Sequence, residues 1–164
     1  EEFAHDFLWR IHQKAPRKGN IMIFNRSHYE DILIQRVHKW IDDDRAEKRM
    51  KAINAFEELL QFDNNTRVLK FYMHISQERQ QEKLQERIDD PSKNWKHKAA
   101  DWDENDHWDT YMKYYEYAIN HSSIPWHIAP CDKRYYRNYF IASKVLETLQ
   151  AMDPKLPQLP KTDE

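Results

Sequence analysis

The sequence predicts an α/β fold, a parallel sheet with helices packed on its faces. Short apolar runs rich in branched and aromatic residues stand at 21–24, 68–75 and 126–129 and read as buried strands. Longer stretches with helical apolar spacing separate them. Strands alternating with helices of this length imply βαβ units, and hence a parallel sheet covered by helices.

The elements follow in order. The first run, 21–24, leads into a segment in which Tyr29, Leu33, Val37, Trp40 and Ile41 keep helical spacing, as do Ile53, Phe56 and Leu60 further on. The run 68–75 is the second strand. Asp89-Asp90-Pro91-Ser92-Lys93-Asn94 breaks the helical pattern and predicts a loop. Trp108, Tyr111, Tyr115, Ala118 and Ile119 mark another helix, followed by the strand 126–129. The last helix carries Tyr139, Ala142, Leu146 and Leu149, and Asp153-Pro154 ends it. Aromatic residues at these spacings are read as core. Glu1 falls inside what reads as a helix. The tail through Pro154, Pro157 and Pro160 is expected to be extended. No internal repeat or long linker divides the chain, so 1–152 reads as part of one domain and 153–164 as its tail.

Composition narrows the function. The chain has 164 residues, 40% hydrophobic and 33% charged, which suits a globular chain with a heavily solvated surface. A net charge of -2 argues against a general nucleic-acid binder, which carries a basic excess. Cys131 is the one cysteine, so no internal disulfide forms, and no apolar run approaches the roughly 20 residues of a membrane helix. A cytoplasmic protein without a membrane span is expected. The nine histidines show no zinc-ligand spacing. Gly19 is the one glycine, where average usage of about 7% gives roughly a dozen. A Gly-x-x-x-x-Gly-Lys loop, whose backbone needs glycines to approach phosphate, is therefore not among these residues.

Three clusters are candidates for chemistry. Ligands of open α/β sheets lie outside the carboxyl ends of the strands. There the run 21–24 passes into Asn25-Arg26-Ser27-His28-Tyr29-Glu30. Arg26 has the planar fork that grips phosphate, and Glu30 is placed to face the same crevice. Ser27 with Glu30 also reads as a capping box. Around the proline loop stand Arg79, Lys83, Arg87, Lys93, Lys96 and Lys98. The first three share a helix face on which Glu82 and Glu86 offset them, which equally describes a solvated charged face. Lys93 and Lys96 have fewer acidic neighbours and suit a mobile loop closing over phosphates. Lastly, Lys133, Arg134 and Arg137 follow Cys131-Asp132 at a strand-to-helix junction, a setting for an anion site or for a helix capped near Asp132.

Together the stretches His5-Asp6-Phe7-Leu8-Trp9-Arg10-Ile11-His12, IMIFNRSHYEDILIQRV from Ile21, Asp90-Pro91-Ser92-Lys93-Asn94-Trp95-Lys96 and Pro130-Cys131-Asp132 resemble the polyphosphate kinase 2 family, close to its branch acting on AMP and ADP. The resemblance implies a P-loop kinase-like three-layer fold, a parallel sheet flanked by helices, with a basic helical lid at about 77–105. It implies Mg2+-dependent phosphoryl transfer between inorganic polyphosphate and AMP or ADP, and a homo-oligomer. It places Asn25 and Arg26 at the Walker B position beside magnesium and the transferred phosphate, with Asn25 an indirect metal partner. Glu30 and Arg26 are the expected nucleotide-binding pair, and Asn25, Arg26 and Arg87 the expected catalytic residues. Arg79, Lys93 and Lys96 belong to the lid, and Lys133, Arg134 and Arg137 to the polyphosphate path. The family's N-terminal strand and Walker A loop lie upstream of Glu1, so the chain is expected to be an inactive fragment as it stands. Trp95-Lys96-His97-Lys98 and Asn105 depart from the family's lid pattern. An ATP-dependent nucleoside monophosphate kinase and a non-catalytic homologue that binds polyphosphate or a protein partner remain alternatives.

Overall fold

The computed structural model describes residues 4–156. Its elements run α1 (Trp9–His12), a 3-10 turn (His28–Ile32), α2 (Ile34–Val37), α3 (Asp43–Phe62), β1 (Lys70–His74), α4 (Gln77–Asp89), a 3-10 turn (Asn94–Lys96), α5 (Ala100–Asn105), α6 (Trp108–His121), β2 (Trp126–Pro130) and α7 (Arg134–Met152). β1 and β2 pair in parallel, in a register that sets Lys70 opposite Trp126 and His74 opposite Pro130. This is the expected α/β arrangement.

The expected strand at 21–24 does not form. Among the described residues no backbone hydrogen bond joins it to β1 or β2. Its side chains stand in solvent, Ile21 at 71% and Ile23 at 85% exposure. A strand exists through a neighbour's ladder. The apolar composition of 21–24 expresses a preference, and no strand lies alongside to satisfy it.

The helices obey local rules. The Asp42 side chain accepts the Arg45 amide at 2.8 Å and so caps α3, while Asp43 and Asp44 complement the dipole in its first turn. The same helix buries Ala46, Met50, Ile53 and Phe56 on one face, together with Glu57. Ile53 and Phe56 join Leu8, Ile11, Tyr29, Ile32, Leu33, Met50 and Ala118 in the hydrophobic core, where a large buried apolar side chain contributes about 1.5–3 kcal/mol. The helical segment expected from Tyr29 is broken at Leu33, whose φ of -100° and ψ of -80° separate the 3-10 turn from α2. Trp40 lies beyond the end of α2 and is exposed, as are Tyr139 and Leu146 on α7, so these three are not core. The 89–94 loop is present, and α7 ends at Met152 with Asp153 in the left-handed region. The tail from 157 and the helical reading at residues 1–3 lie outside the described residues.

Candidate active site

β1 and β2 end side by side, and their exits are tied together. The Cys131 amide donates to the His74 carbonyl at 2.7 Å, extending the contact one residue past Pro130. Ser76 caps α4 by accepting the Arg79 amide, and its own amide donates to Asp132 Oδ1 at 3.3 Å. The starts of α4 and α7 are thereby joined outside the carboxyl ends of the strands, where ligands of open α/β sheets lie. Asp132 serves this junction and does not cap α7. The N-cap there is Lys133, whose side chain makes no capping bond.

Arg26 has a φ of +76°, a left-handed conformation that costs a residue with a side chain on the order of 1–2 kcal/mol. The chain's glycine, Gly19, adopts φ +80° at a different turn. Strained backbone of this kind persists where surrounding structure over-determines it, and functional sites are enriched in it. The Arg26 side chain is 80% exposed, and its guanidinium lies 3.5 Å from the Glu30 carboxylate. Ser27 does cap the 3-10 turn, accepting the Tyr29 amide at 3.4 Å. The capping box is nevertheless half-formed, because the Glu30 side chain turns to Arg26. Asn25 is exposed beside them.

Two tyrosines, Tyr115 of α6 and Tyr72 of β1, lie near these charges. Burial, then the charge of Glu30, raises the Tyr115 hydroxyl, while Arg26 draws it back. Both charges therefore act across to α6. Tyr115 and Tyr72 rings lie 4.7 Å apart. Burial first, then Tyr115 and Cys131, pushes the Tyr72 hydroxyl up to about 12, and it donates to Met112 Sδ at 3.4 Å. Both hydroxyls stay protonated at neutral pH, and that of Tyr115 can donate to an anion. Burial, against the pull of Arg137, raises the Cys131 thiol, which disfavours its thiolate at neutral pH.

Within 77–105, carboxylates engage Arg79, Arg87 and Lys93. Arg79 pairs with Glu82 at 2.6 Å and Glu86 at 3.6 Å, and Arg87 with Asp101 at 2.7 Å. Lys93, expected to have few acidic neighbours, is 2.8 Å from Asp90, whose carboxyl is drawn down to about 2 by Lys93 and Ser92. Lys96 lies over the exposed Trp95 ring at 4.9 Å. Arg134 opposes the charge on Lys93, so the 89–94 loop and the start of α7 are within electrostatic reach. Arg137 holds Asn138 Oδ1 at 2.9 Å. Among the described residues no ion pair or hydrogen bond joins the basic residues of the second and third clusters to each other, and the ion partner of Arg26 is Glu30.

Beneath this surface lies a polar network that pattern reading missed. Lys70 Nζ donates to Glu57 Oε2 at 2.7 Å, Tyr29 Oη at 2.6 Å and Ser122 Oγ at 3.1 Å. Tyr29 donates to Glu57 at 3.1 Å, His28 Nε2 lies 3.1 Å from Glu57 Oε1, and Trp126 Nε1 donates to Ser122 at 2.8 Å. Burial pushes the Glu57 carboxyl up, but His28 and Lys70 outweigh it and leave it below the ordinary range. Burial also lowers Lys70 against the pull of Glu57. The signal was present in the sequence, a lysine opening an apolar strand and a glutamate on an apolar helix stripe.

For magnesium, the Asn25 amide and the Glu30 carboxylate supply hard oxygens of the right kind. Among the described residues no group of three or more His, Cys, Asp or Glu side chains is arranged to hold a metal. This donor set fits an ion carried mainly by phosphate oxygens and water. No helix of the described residues is long and apolar enough to cross a membrane.

The family model for polyphosphate kinase 2 matches residues 1–157. The AMP/ADP-polyphosphate phosphotransferase of Meiothermus ruber is 43% identical over 161 residues, covering 96% of this chain and 60% of that protein. The ADP-polyphosphate phosphotransferase of Rhodopseudomonas palustris is 36% identical over 172 residues, with 96% and 59% covered. The crystal structure of polyphosphate kinase 2 from Arthrobacter aurescens superposes with a TM-score of 0.93 at 38% identity, over 99% of this chain and 58% of that one. The chain spans about three fifths of the length of these relatives. Its fold is the P-loop kinase-like α/β fold of those structures, and the chain belongs to the polyphosphate kinase 2 family.

Proposed function

We propose that the protein moves phosphoryl groups between inorganic polyphosphate and AMP or ADP, and that these 164 residues form the acceptor side, the lid and the polyphosphate path of that enzyme. The observation that carries the reading is Arg26, held left-handed with an exposed side chain beside Glu30. The relatives named for AMP/ADP-polyphosphate and ADP-polyphosphate phosphotransfer support the substrate class.

In this reaction the terminal phosphoryl group leaves polyphosphate, shortening it by one unit, and is captured in line by a phosphate oxygen of the nucleotide. Protein groups contribute positioning and charge neutralisation. Arg26 presents two parallel N–H donors to the transferred group, where its charge counts more in the transition state than in the ground state. Glu30 holds the guanidinium at its working angle and orients the acceptor. Lys93 and Lys96 close from the lid with Arg79 and Arg87, and Lys133, Arg134 and Arg137 receive the polyphosphate from the α7 side. Mg2+, when bound near Asn25 and Glu30, neutralises phosphate charge. The lone cysteine and the soluble substrates favour a cytoplasmic setting.

The test compares donors. Residues 1–164 are assayed alone and joined to a Gly-x-x-x-x-Gly-Lys portion from a relative, with polyphosphate or ATP as donor and AMP or ADP as acceptor. The joined chain is expected to use polyphosphate, and residues 1–164 alone to be inactive, because charge neutralisation by that loop supplies much of the catalysis. Transfer from ATP with none from polyphosphate makes the protein an ordinary nucleoside monophosphate kinase.

A further inference from the structure

We propose that Glu57 and Lys70 are positioning residues for Arg26. Through His28 and Tyr29 they pin the 25–30 segment in the left-handed turn that presents the guanidinium. Arg26 is strained, so something must hold it, and its ion pair with Glu30 lies largely in solvent. The 3-10 turn that follows is anchored two and three residues on. His28 Nε2 reaches Glu57, and the fully buried Tyr29 hydroxyl is shared by Glu57, Lys70 and Ser122. Lys70 Nζ also lies over the Tyr29 ring at 4.9 Å and the Trp126 ring at 5.2 Å. The anchor therefore gathers α3, β1, the turn before β2 and β2 itself onto the two residues that follow Ser27.

The geometry suits positioning rather than substrate contact. Glu57 is 1% exposed and Lys70 6%, so neither reaches a ligand in the crevice. Lys70 stands at the opening residue of β1, at the opposite end of the strand from the site. Buried polar groups are costly unless partnered, and a network in which Glu57, Lys70, Tyr29 and Ser122 all find partners, with His28 Nδ1 left unpaired, favours one arrangement of the elements it joins. Removing one member leaves others buried and unpaired, which loosens whatever the network held.

The consequence for turnover rests on the proposed function, but the consequence for the loop does not, so two measurements are used. Glu57→Gln, Lys70→Met and Tyr29→Phe are made, with Ile53→Ala as a core-cavity control in the same helix as Glu57. Tyr29→Phe removes one oxygen and keeps the ring, so it folds if the charge variants do not. The first measurement is limited trypsin digestion below the melting point. It reads cleavage after Arg26 relative to cleavage after Lys96 in the exposed lid loop, because local opening governs native-state cleavage. The network variants are expected to raise that ratio about fivefold or more, and Ile53→Ala to leave it within about twofold. The second, on the loop-bearing chain, is kinetics with polyphosphate and AMP. The network variants are expected to lose kcat with little change in KM for polyphosphate, while Ile53→Ala keeps kcat. An unchanged cleavage ratio in all three network variants, or an equal rise in Ile53→Ala, overturns the inference whatever the activity. A raised ratio in a protein that uses no polyphosphate sustains the positioning role and sinks the proposed function alone.

Discussion

Replacing Arg26 by glycine and, separately, by alanine divides the strain of its backbone from the chemistry of its side chain. At φ +76° a residue with a Cβ is held at a cost of about 1–2 kcal/mol, which glycine escapes. Both substitutions delete the ion pair to Glu30, and at 3.5 Å with an 80% exposed Arg26 side chain that pair is worth a few tenths of a kcal/mol at most. Comparing the two variants with each other cancels it. Glycine has the more disordered unfolded state, which returns about 0.4–1 kcal/mol to alanine. At the midpoints of these ranges the remainder favours Arg26→Gly by roughly 0.8 kcal/mol, a melting point about 2–3 °C above that of Arg26→Ala in a domain of this size. Turnover behaves differently. Both variants are expected to lose about a thousandfold or more in kcat with polyphosphate and AMP, since neither supplies a cation to the transferred phosphoryl group. Calorimetry and steady-state kinetics on the same preparations read the two effects. A glycine variant that melts at or below the alanine variant refutes the strain, and an alanine variant with parental kcat refutes the chemical role.

The lid, the acceptor carboxylate and the buried pair each give a further expectation. Lys93→Ala and Lys96→Ala should weaken polyphosphate use and flatten its dependence on salt, as read from kcat/KM across ionic strengths, and an unchanged salt dependence in both makes the loop a solvated turn. Glu30→Asn should shift the ratio of AMP to ADP phosphorylation with a change in stability of about 1 kcal/mol or less, because the Glu30 side chain is paired to Arg26 rather than to the Ser27 amide. A lowered melting point with an unchanged ratio removes Glu30 from the site. Glu57 titrates below the ordinary carboxylate range when folded. Its contribution is therefore present above the unfolded-state value near pH 4 and lost as pH falls through the lower folded value. Glu57→Gln should lose about 3–5 kcal/mol at neutral pH, leaving Lys70 buried without its partner, and show a shallower loss of stability below about pH 4. Parallel acid limbs for parent and variant contradict this.

What was legible in the sequence was what depends on local pattern. β1, β2, α3 and the 89–94 loop follow from short branched runs, from one apolar stripe and from Asp-Pro punctuation. The strand at 21–24 was misread because its residues have strand preference while the ladder that makes a strand is non-local. The site was legible as composition and not as geometry. Arg26 stood out at the end of an apolar run, but its left-handed backbone was hidden, since such a position ordinarily announces itself by glycine. The Ser27 cap was readable, and the partner of Glu30 was not, because Arg26 four residues earlier competes for the same carboxylate. Glu57 and Lys70 were visible as violations, each a charge at a position the pattern assigns to the core. Two violations of opposite sign in one core point to each other, because each needs what the other supplies.

On the proposed function a chain of net charge -2 binds a polyanion, and the pairing of the basic residues in 77–105 bears on how. Arg79, Arg87 and Lys93 each carry a carboxylate partner, which leaves Lys83, Lys96 and Lys98 as the cations of this segment without an ion pair among the described residues. Exposed pairs of this kind are individually worth about 0–1 kcal/mol. A single phosphate gains little by displacing one carboxylate, since it exchanges one screened pair for another. Polyphosphate carries a charge at every unit and meets several of these cations at once, so the exchanges add while the cost of association is met once. On that reading the carboxylates act as placeholders that blunt binding of small anions. On the proposed function, removing Asp90 or Asp101 should therefore raise affinity for inorganic phosphate more than for polyphosphate, narrowing the preference for the long chain.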